Sequence, residues 1–307
     1  MAPAVSFCIR GWRVDTAAMA IESVLSQTVD DVEVVITDDC GDLEPVARSF
    51  DDDRIRYFRN AEQLGPAWNA RECLNRARGD LIGLLNDDDR LLPTFVEKVV
   101  ERFEQVPRAG LVFTNHFFER NGKRWQRETL LPDGTYDKFL IRYLRTRPTA
   151  AGAMLMRRDV WLEGERAKPI PRETAADAFI ALRAAAAGVT FSYIDEPLLV
   201  WRLHSGSVMA SSAFGDLIVS LWSSFDFDGE AEALRLLQLR DAYMTRAAAR
   251  LRSHQIAEAR SDLDAARHLG SRARLLPLVA RVPLLLAPAL IANKWLYTMK
   301  RWLLRQA

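Results

Sequence analysis

The sequence has few cysteines and no long apolar run, and each absence excludes a kind of protein. Cys8, Cys40 and Cys73 are the only cysteines in 307 residues. An odd, widely spaced set predicts neither a disulfide framework nor a zinc site, and it favours a reducing compartment. No apolar run reaches the roughly 20 residues that a membrane-spanning helix needs. No basic segment followed by an apolar one stands near residue 1, so we expect no secretion signal.

Charge is balanced overall but unevenly distributed. The formal net charge is +1, which gives no general attraction to nucleic acid, and we expect no nucleic-acid partner. The last acidic residue is Asp264, and eight Lys or Arg follow it. This asymmetry predicts a basic C-terminal segment with a role of its own. Half of the residues are apolar, which is enough for a large core.

Apolar runs and helical patterns alternate through the first half of the chain. The runs that predict buried strands are Val5–Ile9, Val32–Ile36, Arg54–Phe58, Leu81–Leu85 and Leu111–Thr114. Helical spacing lies between them at Thr16–Gln27, Ala67–Arg78 and Phe95–Phe103. This alternation is typical of an α/β protein with a mainly parallel sheet flanked by helices.

The second half predicts a further helix, two short strands and a helical extension. The helix covers Thr174–Ala187 and ends at Gly188, and the strands are Phe191–Ile194 and Leu198–Trp201. From about Phe214 onward the apolar spacing is helical and predicts a helical hairpin.

Two groups of aspartates follow predicted strands. Asp38 and Asp39 come after the second strand, and Asp87–Asp89 come after the fourth. Ligands of such sheets bind outside the carboxyl ends of the strands, so both groups are expected at one edge. Neighbouring carboxylates repel one another, and a divalent cation offsets that repulsion. Their hard oxygen ligands suit Mg²⁺ or Mn²⁺.

Three segments, in order, resemble the family 2 type of inverting GT-A glycosyltransferases. They are AIESVLSQTVDDVEVVITDDCGD, NAEQLGPAWNARECLNRARGDLIGLLNDDDRLLP and ADAFIALRAAAAGVTFSYIDEPLLVWRLHSGS. The resemblance covers roughly residues 4–208. It implies a GT-A, Rossmann-like domain over residues 1–210, with a nucleotide-sugar half at about 1–115 and an acceptor half at about 116–210. Residues 211–307 would form a helical extension.

The resemblance also implies an activity. A sugar would move from a nucleoside-diphosphate sugar, expected to be a UDP-sugar, to a hydroxyl of a saccharide or lipid-linked acceptor. The setting would be cell-envelope polysaccharide or glycoconjugate synthesis, in the cytoplasm or peripherally on the inner face of the plasma membrane. A divalent cation, Mn²⁺ or Mg²⁺, would neutralise the leaving diphosphate. Only one candidate base is evident, which favours inversion.

Site roles carry over from the family by position. Asp39 would bind the base of the nucleotide with Asp38 beside it. Asp88 would ligate the metal, with Asp89 assisting and Asp87 holding the ribose, although the roles of these last two are interchangeable. Further contacts are expected from Trp12 stacking on the base, Arg71 meeting phosphate and His204 closing over the metal or diphosphate. Asp177 would be the catalytic base.

Three departures from the family pattern leave alternatives open. Arg10-Gly11-Trp12-Arg13 stands where the family usually has Pro-Thr-Tyr-Asn, Asn86 replaces a common aspartate, and Ala176 replaces a usual glutamate. The first leaves the identity of the nucleotide base open. The other two keep open a catalytically inactive, nucleotide-binding or membrane-scaffold protein of the same fold.

Purely structural roles are alternatives to the functional ones at several residues. Thr174 and Asp177 fit a helix capping pattern. Asp38 and Asp39 could cap the next segment, His204 could be structural, and Arg71 could lie on a solvated helix face.

The end of the chain has an amphipathic pattern. If Lys294–Arg305 is a helix, Lys294, Arg301 and Arg305 share one side. The opposite face carries Trp295, Leu296, Met299, Trp302 and Leu303. Such a helix suits an anionic membrane surface, and it equally suits docking on its own domain or a second subunit.

Overall fold

The computed structural model describes residues 3–11, 13–129, 131–146, 152–204 and 212–272. The chain divides into two compact units, the first ending at Arg235 and the second beginning at Leu236. The predicted domain boundary near residue 210 falls outside the described residues. So does the predicted amphipathic tail, Lys294–Arg305.

The first unit is built on a parallel block of four strands in the order β3-β2-β1-β4. These strands are β1 (Val5–Gly11), β2 (Val32–Asp38), β3 (Ile55–Arg59) and β4 (Leu81–Asn86). The crossovers between them contain α1 (Val14–Leu25), α2 (Glu44–Arg48) and α3 (Pro66–Arg76). Nearly every residue of β1, β2 and β4 is buried, as continuous apolar runs in a covered parallel sheet require.

The sheet continues in the order β4-β9-β6-β10-β5. Strand β9 is antiparallel to both of its neighbours, whereas β6 and β10 are parallel to each other. The remaining short strands β7 and β8 pair with β6 and β10. The elements of this part are β5 (Arg90–Leu91), α4 (Phe95–Gln105), β6 (Ala109–Arg120), β7 (Lys123–Gln126), β8 (Gly134–Tyr136), α5 (Leu140–Thr146), β9 (Met154–Arg157), α6 (Arg158–Ala167), α7 (Ala176–Ala186) and β10 (Thr190–Arg202).

The predicted α/β class with a mainly parallel sheet is confirmed, with one correction to the strands. The two short strands predicted at Phe191–Ile194 and Leu198–Trp201 are a single strand, β10. Its pairing with β6 shifts register between Ile194 and Leu199, around Pro197. Proline lacks the amide hydrogen that pairs neighbouring strands, so the sequence around Pro197 predicts the end of a strand. In the structure the strand continues through Pro197 with a bulge.

Three helices complete the described chain: α8 (Ser212–Ser223), α9 (Gly229–Arg252) and α10 (Ile256–Arg272). The predicted helical extension is therefore confirmed as far as residue 272. In the second unit, the buried carboxylate of Asp262 on α10 accepts hydrogen bonds from Arg246 and Arg250 on α9, at 2.6 and 2.9 Å. None of the helices in the described ranges combines the length and the hydropathy that a membrane crossing needs.

Candidate active site

The two aspartate groups lie side by side at the carboxyl ends of β1, β2 and β4, which we call the ligand edge. Gly11 at the end of β1 is in register with Asp38 at the end of β2. Arg10, one residue earlier, is in register with Asn86 at the end of β4. The turns that follow β2 and β4 therefore flank the end of β1, as expected for a parallel sheet that binds ligand at this edge.

Asp38 holds the turn after β2 in shape. Its buried carboxylate accepts hydrogen bonds from the backbone amides of Cys40, Gly41 and Leu43, at 2.8–2.9 Å. The Tyr57 hydroxyl donates a further bond at 2.8 Å. Burial alone would raise the pKa of Asp38, but these donors together outweigh it and lower the pKa. Asp38 is thus an ionised anchor for the turn that carries Asp39.

Asp39 connects this turn to the loop before α3. One carboxylate oxygen accepts from the Asn60 side chain at 2.7 Å and from the amide of Leu64 at 3.1 Å. The other oxygen accepts from the amide of Gly65 at 2.8 Å. The residue is half-buried, and a carboxylate offers about four acceptor positions, so room remains for a ligand donor. The predicted contact with a nucleotide base stays a prediction.

The aspartate triplet, Asp87–Asp89, follows β4 and is buried. Asp87 accepts bonds from the backbone amide of Arg13 at 2.6 Å and from its guanidinium at 2.9 Å. The same guanidinium nitrogen lies 3.2 Å from Asp88 Oδ2. Arg13 precedes α1 at the end of β1, so the partly buried guanidinium offsets much of the repulsion within the triplet.

His204 is distant from the triplet in sequence but contacts it in the fold. Its Nε2 lies 2.9 Å from Asp88 Oδ2, across 116 residues of sequence. The pairing is possible because β10 ends at Arg202, and the backbone amide of Arg202 donates to Asp89 Oδ1 at 2.9 Å. The end of β10 is thereby fixed to the turn after β4. The structure brings together Asp88 and His204, two residues that the sequence predicts at the metal.

Asp89 is the most enclosed member of the triplet. Burial, reinforced by the charge of Asp88, raises the pKa of Asp89 to about 7. The Asn86 side-chain amide donates to Asp89 Oδ2 at 2.9 Å, and Asn86 Oδ1 accepts from Arg10 at 2.7 Å. An aspartate at position 86 would remove that donor and add a fourth carboxylate. Asparagine at position 86 therefore stabilises the buried Asp89, which in turn binds the end of β10.

The donor set at the triplet fits a hard divalent cation bound together with phosphate. Asp88 and His204 present an oxygen and a nitrogen to one place, where the Arg13 guanidinium already supplies positive charge. Within the described residues, no three His, Cys, Asp or Glu side chains form a complete metal-binding group. Mg²⁺ bound with a nucleotide needs only one or two carboxylates, because phosphate oxygens and waters complete its shell.

Asp177 lies in the first turn of α7 and is half-buried. The N-cap of this helix is Ala175, and no side chain caps it. Thr174 is buried with a hydroxyl that has no hydrogen-bond partner. The alternative of a Thr174 capping box is therefore wrong, because the helix begins one residue later than that pattern requires. The assignment of Asp177 as a base stays a prediction.

The loop before α7 contacts the loop that Asp39 holds. Arg172 donates to the carbonyl of Gln63 at 3.2 Å and lies over the Trp68 ring, 5.1 Å from its centroid. The Trp68 indole donates to the carbonyl of Ile170 at 3.2 Å. These contacts place the start of α7 beside the start of α3, on the ligand-edge side of the domain.

Two further predicted nucleotide contacts differ in outcome. Arg71 on α3 pairs with Glu165 on α6, and the same carboxylate binds Arg183 at 3.1 Å. Arg71 is thus part of an inter-helix ion cluster rather than only a solvated face, and its phosphate contact stays a prediction. Trp12 lies outside the described residues.

Sequence reasoning missed the role of Arg13, which contacts two members of the triplet. It is a cation directly after β1, at the same sheet edge as the aspartates. Two signals could have indicated this contact: Arg13 and the triplet follow predicted parallel strands, and their charges are opposite.

Comparisons with known proteins bear on the family and on the fold. The model described as Glycosyl transferase family 2 matches residues 13–163. That segment contains Arg13, both aspartate groups and Arg71, and it ends before Asp177 and His204. One relative, a GalNAc(5)-diNAcBac-PP-undecaprenol beta-1,3-glucosyltransferase from Campylobacter jejuni, is 34% identical over 112 residues, which is 34% of this chain and 34% of the relative. Across the curated relatives the matched segment covers 30% to 43% of their lengths.

Solved structures match more of the chain. S. aureus TarS 1–349 in complex with UDP is 14% identical, with a TM-score of 0.60 over 89% of this chain and 91% of that one. The mannosyltransferase PcManGT from Pyrobaculum calidifontis, in complex with GDP-Man and Mn²⁺, is 16% identical, with a TM-score of 0.59 over 98% and 84%. At these identities the likeness shows the fold alone. With its GT-A type fold, the chain resembles the family 2 glycosyltransferases, as the three sequence segments predict.

Proposed function

We propose that this protein is an inverting glycosyltransferase that moves a sugar from a nucleoside-diphosphate sugar to an acceptor hydroxyl. The observation that carries the proposal is the contact between His204 and Asp88 at the ligand edge. That contact joins the nucleotide half to the acceptor half in a chain that resembles family 2. The two halves would then enclose the bond that is broken.

On the donor side, Asp39 accepts a hydrogen bond from the base, while Asp38 keeps the turn rigid. The ribose lies toward Asp87. A UDP-sugar is the favoured donor, since the structural relative TarS binds UDP. Arg71 is paired with Glu165, so we expect it to contribute less to donor binding than the aspartates.

At the diphosphate, Asp88 and His204 would hold a divalent cation, with Asp89 behind them. When bound, that cation supplies Lewis-acid neutralisation of the leaving diphosphate. Residues of the chain orient the group: the triplet fixes its position, and the amide of Arg202 keeps Asp89 in place. Removing the cation with EDTA should therefore weaken nucleotide binding.

On the acceptor side, Asp177 takes the proton of the attacking hydroxyl. A single base opposite the leaving group gives one displacement, and hence inversion at the anomeric carbon. A positioned base of this kind contributes about 10²–10⁴-fold to the rate.

The acceptor is a saccharide, and we favour one linked to a lipid diphosphate. The name of the Campylobacter jejuni relative specifies an undecaprenol diphosphate-linked glycan. The work would then take place at the inner face of the plasma membrane, in cell-envelope polysaccharide or glycoconjugate synthesis. The basic segment after Asp264 suits that surface.

The test is Asp177→Asn, measured by sugar transfer and by calorimetric binding of UDP, GDP, dTDP and CDP with Mn²⁺, Mg²⁺ or EDTA. We expect transfer to fall about 10²–10⁴-fold while nucleotide binding persists. Asp159→Asn is the matched control, because Asp159 is also an aspartate in the first turn of a helix but is exposed. Equal activity of Asp177→Asn and wild type would remove the base assignment. Nucleotide binding by a wild type that transfers no sugar would support the inactive-scaffold alternative.

A further inference from the structure

The Arg13 guanidinium contacts two carboxylates of the triplet, one of which is predicted to ligate the metal. Its Nη1 is 2.9 Å from Asp87 Oδ1 and 3.2 Å from Asp88 Oδ2. The oxygen Asp88 Oδ2 is the same atom that His204 Nε2 contacts at 2.9 Å. One carboxylate oxygen thus faces both a resident cation and the histidine that is predicted to ligate the metal.

Arg13 is attached so that its side chain can leave without moving its backbone. The backbone amide of Arg13 donates to Asp87 Oδ2 at 2.6 Å, which fixes the residue at the end of β1. The side chain beyond it is 27% exposed, compared with 3% for Asp87. An arginine with one side toward solvent has rotamers that point outward, whereas the buried carboxylates have no comparable freedom.

We propose that Arg13 is an intrinsic counter-ion of the triplet, that it competes with the divalent cation for Asp87 and Asp88, and that it thereby sets the metal affinity of the site. The proposal rests on the proposed function, which gives the triplet a metal to bind. In the free protein the guanidinium pairs with both Asp87 and Asp88 and offsets one of their two negative charges. A cation that takes Asp88 Oδ2 displaces it, because two positive charges on one oxygen repel at this distance.

The competition has a consequence for the order of binding. A cation that arrives alone must displace Arg13 with only Asp88 and His204 to hold it. A cation that arrives with a diphosphate brings two negative groups, which also attract the displaced guanidinium. Arg13 therefore disfavours metal without donor and favours the two together.

The experiment is Mn²⁺ binding in the absence of nucleotide, followed by electron paramagnetic resonance of free Mn²⁺ on the full chain. We compare wild type with Arg13→Gln, which removes the charge, and Arg13→Lys, which keeps it. Arg13→Gln should bind Mn²⁺ about tenfold more tightly than wild type, and Arg13→Lys should lie between them. Arg78→Gln is the charge-matched control, because Arg78 is exposed near the start of β4, at the opposite end of the strand.

Each other outcome overturns the proposal. Equal or weaker Mn²⁺ binding by a folded Arg13→Gln means that the guanidinium does not compete with the cation. Equal tightening in Arg78→Gln means that only overall charge matters. No Mn²⁺ bound by any of the four proteins also rejects it. Failure of the proposed function is scored separately, by sugar release from the donor, so the two results are distinguishable.

Discussion

At the scale of single residues, the adjacent Asp38 and Asp39 have different tasks. Asp38 is buried and accepts bonds from three backbone amides and a tyrosine, whereas Asp39 is half-buried and joins two loops. Asp38→Asn should therefore lower the free energy of unfolding by about 2–4 kcal/mol, because an amide cannot accept as many bonds. Asp39→Asn should lower the free energy of unfolding less than Asp38→Asn does, and it should weaken nucleotide binding more. Urea unfolding and calorimetry measure the two effects.

The pH dependence of the Asp38 contribution has a definite sign. Its pKa in the folded protein is below the ordinary value, so its contribution to stability is fully present above that value. The contribution is lost as the pH falls through the lowered pKa. The stability difference between wild type and Asp38→Asn should shrink under acid conditions, and a constant difference would contradict the ionised anchor.

Which site residues are predictable depends on whether the signal is local. Asp39, Asp88 and Asp177 stand in segments that resemble a family, so the sequence alone identifies them as candidates. The pairing of Arg13 with Asp87 depends on adjacent strands 74 residues apart, which no local pattern encodes. The distinction between Asp38 as anchor and Asp39 as open acceptor likewise depends on where the amides point.

At the scale of elements, helices α3, α6 and α7 are joined by one partly buried carboxylate. Glu165 on α6 binds Arg183 on α7 at 3.1 Å and pairs with Arg71 on α3. Arg183 is buried and lies over the Trp161 ring. Because α7 carries Asp177, this cluster also positions the proposed base.

Glu165→Gln should lower the free energy of unfolding by about 3 kcal/mol, since it leaves the buried Arg183 without its counter-charge. Thermal unfolding of the variant gives the measurement. Glu163→Gln is the control on the same helix, because Glu163 is exposed. A double variant with Arg183→Met should recover part of the loss. An unchanged melting temperature for Glu165→Gln would mean that the cluster contributes little.

The elements themselves were mostly predictable, but the order of the strands in the sheet was not. Apolar runs place β1, β2 and β4 to within a few residues, because buried parallel strands are continuously apolar. Nothing in the sequence of Met154–Arg157 shows that it lies antiparallel between β4 and β6. Local patterns report burial and period, whereas strand order depends on contacts between distant segments.

At the scale of the whole molecule, the basic C-terminal segment predicts an affinity for anionic membranes. Its amphipathic part, Lys294–Arg305, lies outside the described residues, so the prediction stands on sequence alone. The full chain should float with vesicles that contain anionic lipid and not with neutral vesicles, because the cations need a negative surface. Replacing Lys294, Arg301 and Arg305 by Gln should reduce flotation severalfold. Retention of the wild type in the soluble fraction would instead favour docking on protein.

The turns at the ligand edge are held mainly by main-chain groups, and this bears on how such a sequence can diverge. The backbone amides of Gly41 and Leu43 donate hydrogen bonds to Asp38, and that of Gly65 donates to Asp39. These bonds do not depend directly on the side chains at the three donor positions. Divergence there is limited by backbone conformation: φ is +86° at Gly41 and +81° at Gly65. A side-chain change at Leu43 should therefore disturb the turn less than a non-glycine residue at Gly41 or Gly65 would.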